Sequence, residues 1–202
     1  MTFPARFAAC LIAFGLAVFL PGAGLRAHPH VWVTGTAAFH LENGALTRLS
    51  QRWQFDAFFS QVLMGDFDKN HDGTLDEAET AAMKAQVFGN LKEYGYFTHL
   101  RIGTTALVLD QVENFHTDLD NGELVFFFDL VLAKPVDMKT NQVSLALFDP
   151  TIYVDIALGG DKPVSVEGAG ALKCKSDFRS LDQMSNSQGF VSPQEVLLSC
   201  GG

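Results

Sequence analysis

The stretch that most constrains this chain runs from Asp68 to Glu79 and reads DKNHDGTLDEAE. It satisfies D-x-[DN]-x-[DN]-G-x5-E at every specified place, the pattern of a calcium-binding EF-hand loop. In that pattern Asp68, Asn70 and Asp72 offer side-chain oxygens and Thr74 its carbonyl. Asp76 binds directly or through a water, and Glu79 closes the shell with two oxygens. Gly73 falls where the chain turns sharply into a conformation that a Cβ opposes. His71, at the unspecified fourth place, is expected to face water. Oxygen donors of this kind and number point to Ca2+ or an equivalent hard cation. The bland alternative is an acidic surface turn with a glycine in the right place. The calcium reading demands a helix on either side. The spacing of Phe55, Phe58, Phe59, Val62 and Leu63 predicts an entering helix over 55–67. Ala78, Ala82, Met83, Val87 and Leu91 predict an exit helix over 76–94, stopped by Gly95. The chain has one such loop, whereas sensor EF-hands usually come in pairs. A structural clamp is therefore expected rather than a switch.

The first 27 residues read as a secretory signal: a short start with Arg6, an apolar run from Ala8 to Leu20, a Pro21-Gly22 break, and Ala27 to cut after. The run is too short for a membrane span, which needs about 20 residues, so no membrane anchor is expected. Cys10 precedes the apolar run instead of following it, which argues against a lipid attachment. Cys10 leaves with the signal, and Cys174 and Cys200 remain. They lie 26 residues apart, without the C-x-x-C spacing of a thiol metal site. A disulfide in an oxidising compartment is the expectation. The predicted location is therefore the periplasm.

After export the chain alternates from Val31 to Leu41, turns at Glu42-Asn43-Gly44, and continues from Leu46 to Phe55, which predicts a hairpin. Beyond Tyr96 it is a series of short β-branched and aromatic runs separated by turns such as Asp120-Asn121-Gly122 and Gly159-Gly160-Asp161. Phe126 to Phe128 is apolar on both faces and predicts an interior strand. The fold class that follows is α+β: an antiparallel β-sandwich-like domain over 28–174, with a single EF-hand inserted at about 55–95. The polar stretch 175–202 is expected to be a loose C-terminal tail, tied by the Cys174–Cys200 bridge and holding a short helix over 193–198.

The second candidate site is the new N-terminus. His28 would carry a free α-amine and an imidazole on one residue, and His30 adds a second imidazole on the same side of an extended chain. Pro29 lacks an amide N–H, so the square-planar backbone wrap around copper is closed to it. The nitrogen-rich, incomplete set suits Zn2+, Ni2+, Co2+ or Cu2+ with help from elsewhere. His99 and His116 lie on β segments and are possible additional ligands. His40 sits about 33 Å away along a strand and cannot share an ion with His30. The alternative for His28 and His30 is an unstructured terminus, and for His99 and His116 an ordinary surface or satisfied histidine.

The formal net charge is −9 with no basic cluster, which excludes nucleic acid as a partner and favours cations. No G-x-S-x-G, phosphate loop or H-E-x-x-H occurs, so a non-enzymatic protein is expected. Asp118 and Asp120 read as solvated turn residues.

Taken together, HPHVWV, QRWQFDAFFS, DKNHDGTLDEAE, LKEYGYFTHLRI and LFDPTIYVDI resemble a bacterial periplasmic family of unknown function. Its label is an uncharacterised ABC-type transport system, periplasmic component. The resemblance runs from about His28 to Cys174. It implies an accessory to divalent-metal transport, since members are associated with nickel/cobalt-type (NicO) permeases and zinc-uptake components. The implied partner is a metal-transport permease in the inner membrane, with calcium as structural cofactor and Zn2+ or Ni2+/Co2+ as cargo. Two other readings stay open: a calcium-stabilised interaction module that touches no cargo, and a copper protein with an N-terminal histidine brace.

Overall fold

Along Val31–Glu42 (β1), Val31, Val33, Ala37, Phe39 and Leu41 turn into the core while Trp32 and Thr34 face out. In the computed structural model, which describes residues 30–151, 153–181 and 193–201, the strand reverses at Asn43 and Gly44. Both have positive φ, 52° and 83°, and Ala45–Phe55 (β2) returns alongside. Two left-handed residues form the tight turn whose twist matches the flanking strands, so the expected hairpin is present. The signal segment, His28 and Pro29 lie outside the described residues.

Helix α1 (Ala57–Phe67) follows, then the acidic loop, then α2 (Glu77–Gln86). The exit helix is shorter than its spacing predicts. Irregular 3-10 turns over Phe88–Phe97 replace its second half. They end in three consecutive left-handed residues, Gly95, Tyr96 and Phe97, at φ of 60°, 52° and 50°. That conformation costs roughly 1–2 kcal/mol at a residue with a Cβ, and burial of two rings offsets it. Tyr96 stacks on Phe88 at 5.2 Å, and Phe97 lies parallel to Trp53 at 6.3 Å.

The remaining strands are β3 (Thr98–Ile102), β4 (Thr105–Ala106), β5 (Leu109–Asp120), β6 (Glu123–Asp137), β7 (Gln142–Leu147), β8 (Val154–Leu158), β9 (Val164–Glu167), β10 (Lys173–Ser180) and β11 (Gln194–Gly201). They form two sheets. The first runs β5-β6-β2-β1-β8 with β9 also on β1, and the second runs β10-β11-β7-β3-β4. The interior position expected for Phe126–Phe128 is met, since β6 lies between β5 and β2. The sheets are not wholly antiparallel, because β8 and β9 both run parallel to β1. A crossover explains this: the chain leaves β7 in the second sheet and re-enters the first beside β1 in the same direction.

The C-terminal stretch departs most from expectation. In place of a loose tail with a helix over 193–198, Gln194–Gly201 is an interior strand between β10 and β7, with Val196 and Leu198 in the core. A short apolar run such as VLLSC serves a buried strand or helix equally well, and its neighbours decide. Cys174 stands opposite Cys200 in the register and is bonded to it.

One buried polar chain joins the two sheets. Gln51, 3% exposed, donates to the Thr98 hydroxyl at 2.8 Å and accepts from the Trp53 indole N–H at 2.8 Å. Thr98 in turn donates to the Tyr96 carbonyl at 2.8 Å. This satisfies every partner in a site where an orphan would cost about 1–3 kcal/mol, and it braces the left-handed turn.

Candidate metal sites

The Asp68–Glu79 loop leaves α1 at Asp68, whose N–H donates to the Met64 carbonyl, and enters α2 at Asp76, which forms a reciprocal capping box with Glu79. The first and twelfth loop residues, Asp68 and Glu79, are each only 7% exposed. Asp68 accepts from the Asp72 and Gly73 N–H groups at 3.2 and 2.9 Å. Glu79 accepts from Lys69 N–H at 2.7 Å through one oxygen and from Asp76 N–H at 3.0 Å through the other. Asn70 and Asp72 are exposed; the Thr74 hydroxyl and then the Thr74 N–H hold the Asp72 carboxyl below the usual carboxylate range. Gly73 has φ of +81° with open space around it, and His71 is exposed as expected.

The donor set fits calcium. Asp68, Asn70, Asp72, Thr74, Asp76 and Glu79 supply only oxygens, and the two end carboxylates already turn onto the loop's own amides. Among the described residues, no three His, Cys, Asp or Glu side chains stand together as a ready metal-holding group.

The loop is fastened to the first sheet. Ser60 of α1 accepts from Leu124 N–H at 2.9 Å, and Leu75 packs on the core. Thr74, Leu75, Thr117, Asp118, Leu119 and Leu124 line a small cavity of about 70 Å3 between loop and sheet. Asp120 is more than a solvated turn residue, because it pairs with Arg52 at 2.6 Å.

At the other candidate site, His30 leads into β1. Its N–H donates to the Tyr153 carbonyl at 2.9 Å, and the two rings lie 4.9 Å apart. Trp32 N–H donates to Asp56 at 3.0 Å, and Asp56 N–H donates back to the Trp32 carbonyl at 2.9 Å. Asp149 accepts from Thr151, Tyr153 and Val154 and so shapes the turn that delivers Tyr153 to His30. His30 and Trp32, Asp56, and Asp149 with Tyr153, which belong to three phrases far apart in sequence, therefore meet at one end of the first sheet. Trp32 is 52% and Phe58 is 73% exposed there.

His99 and His116 are placed apart, on β3 of the second sheet and β5 of the first. His99 stacks on Phe148 at 3.7 Å, with Nε2 3.2 Å from the Phe148 carbonyl. Burial pushes its imidazole below the usual range, against the Phe148 contact that raises it. His116 stacks on Phe127 at 4.7 Å and meets the Asn114 carbonyl at 2.9 Å. Neither joins His30 in a metal-holding group of the described residues.

The chain matches the family DUF1007, described as a protein of unknown function, over residues 11–189. It belongs to that family. An uncharacterised 15.5 kDa protein in the trpE 3′ region of Spirochaeta aurantia is 32% identical over 134 residues, 66% of this chain and 95% of that protein. An uncharacterised protein of Haemophilus influenzae is 28% identical over 195 residues, 88% of this chain and 93% of that one. No solved structure matches.

This DUF1007 chain also holds a polar cluster that sequence reasoning missed. On the outer face of the first sheet, the Ser50 hydroxyl donates to Asp129 and meets His40 Nε2 at 2.6 Å. His40 Nδ1 lies 3.3 Å from Glu167, and Asn114 donates to Asp129 at 2.7 Å. Asn114 has φ of 53° at a register shift of β5, a bulge that re-aims its side chain. With the hydroxyl hydrogen on Asp129, His40 Nε2 is the donor toward Ser50. The bonds cross-link β1, β2 and β6 on that face. The only sequence signal was polarity at alternate positions, which says nothing about which strands meet.

Proposed function

We propose that this protein is an exported, calcium-clamped metal-binding accessory of a divalent-metal transport system of the Ni/Co/Zn type. The observation that carries the reading is the Asp68–Glu79 loop, whose end carboxylates are buried and turned inward between two capped helices. When bound, calcium would supply a fixed point joining Asp68 at the end of α1 to Glu79 on α2. The residues of the chain do the rest: Leu75 and Ser60 hold that fixed point against the first sheet. His30, at the opposite end of β1 from His40, would take the cargo ion, with His28 as its proposed co-ligand. The transport assignment draws on the resemblance of phrases, and residues of three of them converge on that end. The Cys174–Cys200 bond supports an oxidising compartment. Among the described residues no helix is long and apolar enough to cross a membrane.

Thermal unfolding of the mature protein with Ca2+ and with a chelator tests the clamp. A midpoint that rises with Ca2+ in the wild type and not in Glu79→Gln supports it. Equal midpoints for the wild type under both conditions refute it.

A second reading, an interaction module that docks on the permease without holding cargo, is favoured by the exposed Trp32, Phe58, Val62 and Tyr153. It predicts transport intact in His28→Ala/His30→Ala and lost in Trp32→Ala/Phe58→Ala.

A further inference from the structure

Three carboxylates belong to the segments that meet His30, and two of them are fully engaged. Asp56 takes the N–H groups of Trp32, Phe58 and Phe59. Asp149 takes those of Thr151, Tyr153 and Val154. Asp155 differs: among the described residues no hydrogen bond or ion pair to it is found. It is partly buried, and that burial raises its pKa. Its oxygens still reach solvent, since they are not among the buried unpartnered atoms of the described residues, so the carboxylate is open to an incoming cation.

The register shows where this carboxylate points. Val31 opposite Val154 and Val33 opposite Ile156 set the inward face of the β1–β8 pair, with Val31, Val33 and Ile156 in the core. The alternate residues, Trp32 and its partner Asp155, therefore face outward. His30 and Tyr153 continue the same outward row, with their rings in contact. Asp155 is one pleat beyond Tyr153 on β8 and so diagonal to His30, at roughly 8 Å between Cα atoms from strand spacing and rise. An imidazole and a carboxylate so placed can close on one ion with bonds of about 2.0–2.2 Å.

We infer that Asp155 is a ligand of the ion held by His30, making the cargo site a mixed imidazole–carboxylate site for a Zn2+-class cation. This rests on the cargo half of the proposed function. Nitrogen and oxygen donors together suit Zn2+, Ni2+ and Co2+ and are poor for Cu+. The cation would meet a carboxylate that no donor of the described residues already engages. Tyr153 orients the imidazole from the side, and the ion stays open outward for transfer.

The test is calorimetric titration of Zn2+ alone into calcium-loaded mature protein, for the wild type, Asp155→Asn, Asp155→His and His30→Ala. Loss of a direct ligand is expected to weaken zinc binding by at least about tenfold in Asp155→Asn, the range seen even for outer-shell groups. Asp155→His, which restores a donor, should bind at least as tightly as the wild type. If His30→Ala loses zinc while Asp155→Asn binds like the wild type, Asp155 is no ligand and the proposed function stands. If the wild type takes up no zinc, both fall. Should Asp155→Asn fold poorly, Asp155→Ser takes its place: a tenfold loss upholds the assignment, and wild-type affinity overturns it.

Discussion

Thr80 on α2 and Thr117 on β5 meet hydroxyl to hydroxyl at 2.8 Å, so the helix that closes the acidic loop is bonded directly to the first sheet. The β5–β6 hairpin thus steadies the acidic loop from the sheet side. Replacing Thr117 with Val should cost about 1 kcal/mol, the usual net worth of such a bond. Urea unfolding of the two single mutants and the double mutant checks it. Additive losses would show that the two hydroxyls do not act on each other.

Asp155 gives a pH signature with a definite sign. Burial raises its pKa above 3.8, so the folded state favours the protonated form. Its contribution is fully present below the unfolded value and is lost as pH rises through the folded one. Metal-free Asp155→Asn should therefore melt above the wild type at pH 7, and the gain should vanish as pH falls toward 3.8. An equal gain at both pH values would place the cause elsewhere than in the charge.

His99 acts in the opposite direction. Burial chiefly, with Arg101 adding a little, lowers its pKa below 6.5. The unfolded chain then binds the proton more readily than the fold does. Its contribution is complete above pH 6.5 and drains away as pH falls from there toward the folded value. His99→Phe keeps a ring against Phe148 and should flatten the fall in melting temperature over that window. An unchanged slope would contradict the assignment.

Much of this arrangement could be read from the chain, and the failures share one cause. Asn43-Gly44 and the twelve loop residues are local signals, because each turn is specified by the residues inside it. The partner of β8 is not local: nothing in VDIAL records that it will lie parallel to β1. Nor does VLLSC record that β7 and β10 will flank it, which is why a helix was expected there. His40 was visible as an outward residue, but Ser50, Asp129 and Glu167 arrive from β2, β6 and β9. His99 and His116 were correctly placed on strands; their separation onto two sheets depends on the strand order. Asp155 drew no notice because it becomes unusual only beside Trp32 and His30.

The Cys174–Cys200 bond pins the edge strand β10 to β11. Closing 26 residues, it should stabilise by roughly 3.5 kcal/mol in the loop-entropy picture. Cys174→Ser/Cys200→Ser should lower the unfolding free energy by about that amount. Hydrogen exchange should quicken first in Lys173–Ser180, whose side chains are mostly exposed. Exchange that quickens uniformly would mean the bridge serves the whole sandwich instead.

The central claim is that two unlike sites hold two unlike ions at separate places on one fold. Calorimetric titration of the mature protein with Ca2+ and with Zn2+, in the wild type, Glu79→Gln and His28→Ala/His30→Ala, tests it most directly. The account predicts that Glu79→Gln loses calcium and keeps zinc, while the histidine variant loses zinc and keeps calcium. A wild type that binds neither ion, or variants that lose both together, would contradict it.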